Sequence, residues 1–126
     1  MSNPLVYTLV LLALLQAKHL FADFYLQTPR MLSGRAIYLH VGRTQHVGVH
    51  ILGSLAVMLV CGVPMGALIG LLVVEALLHY HIDFAKGWWS ERTGFGPTDS
   101  GFWRAFGVDQ LAHQWTYIAM AFVLVL

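Results

Sequence analysis

Charge is scarce in this chain: 10% of its 126 residues are Asp, Glu, Lys or Arg, against about a quarter in soluble proteins. So few charges cannot solvate the surface of an ordinary water-soluble domain, and with 58% hydrophobic residues a lipid bilayer is the expected solvent. An excess of either sign is also missing. Seven basic and six acidic residues leave a formal charge of +1, without the basic face that nucleic acid requires, so no nucleic-acid partner is expected. The single cysteine, Cys61, excludes an intrachain disulfide and reads as a small buried hydrophobe. Low-complexity runs and fixed-period repeats are absent. So is a Gly-x-Ser-x-Gly elbow, and Ser33, Ser54, Ser90 and Ser100 have no evident His pairing, which argues against a serine nucleophile.

What is present is four apolar segments, 4–27, 46–63, 65–86 and 106–126. Each is near the ~17 to 25 residues that carry a helix across a hydrocarbon core. In the first, the purely apolar part ends at Leu15, and Gln16, Lys18, His19 and Asp23 follow, so its second half must face protein or water. Residues 1–4 carry no basic side chain and no small-residue cleavage pattern follows, which predicts a retained helix rather than a cleaved signal peptide. The expected fold is all-α, a single domain over 1–126 forming an up-down bundle of four transmembrane helices.

Arg30, Arg35 and Arg43 fall in the first link, and Lys86, Arg92 and Arg104 around the third. The N-terminus, the turn at 62–66 and the C-terminus carry no Lys or Arg. An even number of spans puts both basic links on one face, which the positive-inside rule makes cytoplasmic, with both termini external. That role as topology determinants is the ordinary reading of the arginines; attraction of an anionic substrate is the other. Trp88, Trp89 and Trp103 flank the second basic link as an interfacial aromatic belt would. Gly34 and Gly42 punctuate the first basic link, and Gly94, Gly96, Pro97 and Gly101 the second, so both read as loops with at most short interfacial helices.

The chemistry rests on a recurrence at i, i+4: His19 with Asp23, His46 with His50, His79 with Asp83, and Asp109 with His113, one pair per segment. Residues four apart lie one above the other on a helical face. The pairs close segments one and three and open segments two and four, so in an up-down bundle all four stripes meet at the basic end. A carboxylate at the centre of a span costs about 2.5 to 3.5 kcal/mol, which calls for paired or solvated surroundings. A metal supplies them. Nitrogen and oxygen donors without thiolate suit Zn2+ first, with Mn2+ or Fe2+ as alternatives. One ion with a rich outer shell and two ions both remain open.

Glu75, four before His79, is a candidate general base or acid, or else an anchor for a ligand. Lys86 is a candidate partner for a substrate anion, or else snorkels to the headgroups. Gln27 and Gln110 add polar groups at the same rim that can orient ligands or substrate. Lys18, beside His19, can hold a carboxylate inside the bundle, whereas His40 and His81 fall outside the stripes and read as bystanders.

The segments 19–27 (HLFADFYLQ), 46–50 (HVGVH), 75–86 (EALLHYHIDFAK) and 109–113 (DQLAH) together resemble the small bacterial membrane proteins grouped as domain of unknown function 3307. The resemblance covers essentially the whole chain. It implies a multi-pass protein of the bacterial inner membrane but carries no established activity. The pattern is also similar, more loosely, to proteins described as membrane-bound metal-dependent hydrolases. The leading expectation is therefore a membrane-embedded metal-dependent, zinc-type hydrolase acting on a lipid-borne or small anionic substrate. The alternatives are a metal or proton transporter and a regulatory or scaffolding subunit stapled by its metal. Four short helices bury little surface by themselves, which leaves room for a homo-oligomer.

Overall fold

The computed structural model describes residues 3–126. Among them no strand occurs, and the elements are α1 (Pro4–Phe24), α2 (Pro29–Leu32), α3 (Val41–Val60), α4 (Met65–Thr93) and α5 (Ser100–Val125). The boundaries have local causes. Asn3 caps α1, its side chain accepting from the backbone N–H groups of Leu5 and Val6, with Pro4 at the first helical position. His40, the expected bystander, caps α3 by accepting from Gly42 N–H at 3.1 Å. Gly94, at φ 65°, takes the left-handed conformation that ends α4.

The ends differ from the segments read in the sequence. α4 continues past Lys86 to Thr93, and α5 begins at Ser100 rather than 106, so much of the second basic link is helix. Of the glycines expected to break it, only Gly94 has positive φ. The first link keeps just the four-residue α2. It is drawn tightly over the bundle by Gly42 and Gly87, where an added Cβ would run into the backbone carbonyls of Arg30 and Arg35. Arg43 is buried, not exposed, and its guanidinium donates to the carbonyls of Arg35, Ile37 and Tyr38.

The long helices pack in a ring, α1 on α3, α3 on α4, α4 on α5 and α5 back on α1. Each neighbour runs antiparallel: Lys18 and Asp23 meet His50 and His46 in turn, Glu75 and Asp83 meet Ser54 and His46, and Asp83 and Lys86 meet His113 and Asp109. Each of the four long helices buries one stripe at three- and four-residue spacing. At the end of the 61–64 turn these stripes are apolar, with Leu11, Leu15, Met58, Leu68, Leu71, Tyr117 and Met120 forming the core. Towards the links at 25–40 and 94–99 they become polar, through His19, His46, His50, Glu75, His79, Asp109 and His113.

Two helices, α1 and α4, are long and apolar enough to cross a membrane. By that measure α3 and α5 fall short of the four spans expected, because Arg43, Gln45, His46 and His50 on one, and Arg104, Asp109, Gln110 and His113 on the other, lower their mean hydropathy. Close packing at Gly87 predicts that Gly87→Ala loses about 1 to 3 kcal/mol by overpacking. Gly70→Ala, which meets nothing within 4 Å, should be neutral or gain up to ~1 kcal/mol of helix propensity. Thermal melts of the two variants in detergent check the contrast.

Candidate metal centre

The four pairs meet at one level because the helices are antiparallel and each stripe faces the bundle axis. Asp23 and Asp83 sit opposite one another as hubs. Asp23 Oδ1 lies 2.9 Å from His50 Nε2 and 3.2 Å from His46 Nε2, while Oδ2 lies 3.1 Å from His19 Nε2. Asp83 Oδ1 lies 3.2 Å from His113 Nε2, and Oδ2 lies 3.3 Å from His79 Nε2 and 3.5 Å from His46 Nε2. Asp109 Oδ1 is 3.6 Å from His113 Nε2. The imidazoles crowd together, with ring centres of His50 and His79 at 3.9 Å and of His79 and His113 at 4.2 Å. All five are at most 4% exposed.

Hydrogen bonds do not satisfy this cluster. His19 Nε2, His79 Nε2 and Asp109 Oδ1 are buried without a hydrogen-bond partner, as are His46 Nδ1 and Glu75 Oε2. Buried polar atoms left so carry a cost of about 1 to 3 kcal/mol each. A cation is the partner these donors suit. Ligands ~2.0 to 2.1 Å from a tetrahedral ion stand ~3.4 Å apart, and the carboxylate–imidazole separations above scatter around that spacing. Three sets of ligand atoms lie within 4.8 Å of one another: Asp23 with His46, His50 and His79; His19 with His79 and His113; and Asp83 with Asp109 and His113.

The outer partners divide the histidines. His19 Nδ1 meets Tyr117 Oη at 3.0 Å, so with Nδ1 donating, its Nε2 lone pair faces the centre. His50 is engaged at both nitrogens. The Lys18 ammonium donates to Glu75 Oε1 at 2.6 Å, with His50 Nδ1 and the His50 carbonyl each at 3.3 Å. An accepting Nδ1 leaves the ring proton on Nε2, where it is donated to Asp23 Oδ1. His50 thus serves as a fixed donor that orients Asp23.

A cavity of about 310 Å³ leads from the basic links down to the cluster, with Met31, Arg35 and Ser90 at its mouth and Asp23, His46 and Asp83 at its floor. Gln27, Lys86 and Asp109 also line it. Lys86 turns inward to Asp109 Oδ2 at 3.1 Å, and Gln110 donates to Asp23 Oδ2 and Asp109 Oδ2. Glu75 does not line this cavity. It lies fully buried behind the cluster, with Oε1 taken by Lys18 and Ser54. His81 is exposed and apart, donating from Nδ1 to the Leu77 carbonyl and accepting at Nε2 from Tyr38 Oη, which ties the first link to α4.

Ser54, read in the sequence only as a serine without a His partner, and Tyr117 each continue a stripe by one more step of four, from His50 and from His113, and that spacing is the signal that points to them. Arg35, one of the three arginines that could attract an anionic substrate, does reach the mouth, whereas Met31 beside it has no signal in the sequence, since only the fold of the first link brings it there.

The sequence pattern of the family described as "Protein of unknown function (DUF3307)" matches residues 10–126. The chain belongs to that family. The match spans every residue of the DUF3307 cluster and its outer partners, from Lys18 to Tyr117. Neither the curated proteins nor the solved structures contain a match.

In this DUF3307 protein the Lys18–Glu75 pair is buried, at 8% and 0% side-chain exposure. Lys18→Met alone should cost about 3 to 5 kcal/mol, because it strands the Glu75 charge. Adding Glu75→Leu should recover most of that loss. Melting temperatures of the single and double variants measure the coupling.

Proposed function

We propose that the protein is a membrane-embedded, metal-dependent hydrolase whose His/Asp centre serves a lipid-borne or small anionic substrate at the face of the basic links. The observation that carries this reading is the convergence of five buried imidazoles and three carboxylates, of which His46, Asp23, Asp83 and Asp109 line a cavity at the end of the bundle where the basic links lie.

The distribution of side chains supports a bilayer as solvent for all four long helices. The clustered His and Asp side chains are inside, while Leu52, Leu59 and Val60 of α3 and Val108, Trp115, Ile118 and Phe122 of α5 face outward. Hydropathy averaged along a helix counts the inward ligands, whereas the outward faces are mostly apolar, with Gln45, Arg104 and Gln114 among the exposed polar exceptions. The basic links then lie at the cytoplasmic surface and the termini outside.

His19, His46, His79 and His113 with Asp23 and Asp83 would hold one or two ions, zinc first by their donor set, with Mn2+ or Fe2+ as alternatives. Such an ion supplies Lewis acidity to polarise the bond under attack and to make water nucleophilic near neutral pH. The remaining groups position. His50 and Gln110 orient Asp23, Tyr117 orients His19, and Lys18 with Glu75 fixes His50 from behind. Lys86, at the cavity wall, is placed to exchange Asp109 for an anion of the substrate. The apolar core below Glu75 offers no polar route to the other side, which favours turnover at one face over passage across the membrane.

Elemental analysis of detergent-purified protein tests the centre. About one or two transition-metal ions per chain are expected, lost in His79→Ala and Asp83→Asn. Tyr117→Phe should keep the ion about 10- to 100-fold more weakly. Hydrolysis of a chromogenic phosphodiester or carboxylic ester should stop on chelation and return with zinc. Metal-free wild type, or full metal content in His79→Ala, contradicts the reading.

A further inference from the structure

A second cavity, of about 580 Å³, lies along the outer seam between α4 and α5. Its walls are Ile82, Ala85 and Trp89 on one helix and Ala105, Val108 and Ala112 on the other. The alanines give it depth, and Phe95, packed on Gly101, closes one end. Most of this lining is apolar, but Arg104 stands beside it and, among the described residues, makes no ion pair. Lys86 and Asp109 belong to both cavities. Their 3.1 Å ion pair therefore stands between the outer groove and the polar floor that holds Asp23, His46 and Asp83.

We propose that this groove admits one anionic glycerophospholipid from the bilayer, its acyl chain along the α4/α5 seam and its phosphate on Arg104 and Lys86. The proposal deepens the function given above and rests on that reading. Charge and shape both select this occupant. The seam is apolar along its length and cationic beside the basic links, where lipid phosphates lie. Guanidinium and ammonium groups bind phosphate by charge-assisted hydrogen bonds. Lys86, in turning from Asp109 to the phosphate, would open the partition and set the headgroup ester beside the cluster. A zwitterionic lipid fits the groove equally but brings its own cation against Arg104.

The test is native mass spectrometry of the full chain in detergent. It is titrated with dioleoylphosphatidylglycerol, with dioleoylphosphatidylcholine and with glycerol 3-phosphate. One phosphatidylglycerol per chain should be retained, about tenfold more tightly than phosphatidylcholine, and glycerol 3-phosphate should not compete. Ala105→Trp, which fills the seam, and Arg104→Gln, an exposed change that leaves the packing intact, should each lose that preference at unchanged metal content. Equal binding of the two lipids, full retention in Ala105→Trp, binding of glycerol 3-phosphate alone, or a dimer that Ala105→Trp dissolves would each overturn the proposal. Lipid binding and metal content are read separately, so a preserved lipid preference in protein without metal or turnover would fault the hydrolase and leave the groove standing.

Discussion

The fold depends on how Asp23 and Asp83 are compensated. Two carboxylates at the axis of a small bundle, ringed by five imidazoles, are tolerated only if each is paired from several sides, since an uncompensated buried charge is strongly destabilising. The ring of antiparallel helices provides that pairing: Asp23 of α1 takes histidines from α1 and α3, and Asp83 of α4 takes them from α3, α4 and α5. That pairing stays incomplete: the Nε2 atoms of His19 and His79 lie near the carboxylates without forming hydrogen bonds, and there a cation would add most.

Apolar and polar packing are therefore separated along the bundle axis. The apolar end, with Leu11, Leu15, Met58, Leu68 and Met120, supplies packing that does not depend on any ion. The polar end holds side chains whose mutual repulsion and desolvation oppose folding. Lys18 sits at the boundary between the two and joins α1 to α3 and α4 through His50 and Glu75. The close approach of the first link, enforced by Gly42 and Gly87, then roofs the centre and leaves the cavity as its access.

Much of the centre is legible in the sequence because the helical period alone puts His19 over Asp23, His46 over His50, His79 over Asp83 and Asp109 over His113. Antiparallel order, implied by the short connections, brings the pairs to one end. What faces what is not local information. That Lys18 would choose Glu75, or Tyr117 His19, depends on rotation of each helix about its axis. Arg43 illustrates the same limit: a charge in a link reads as an exposed topology signal, yet the fold turns it inward to the link carbonyls. Helix ends are missed for a related reason. A glycine in a link does not by itself break a helix: Gly101 lies within α5 and Gly42 within α3, whereas Gly94, at positive φ, ends α4. The four spans read in the sequence become two by mean hydropathy, because the inward histidines and carboxylate of α3 and α5 lower it.

The central claim is that these imidazoles share an inorganic ion, and X-ray absorption at the metal edge of purified, zinc-loaded protein tests it most directly. The account predicts a nitrogen and oxygen shell at ~2.0 to 2.1 Å, multiple scattering from at least two imidazoles, and no sulfur. An ion surrounded only by water, or the same spectrum from protein in which His19, His46, His79 and His113 are all replaced by alanine, would contradict it.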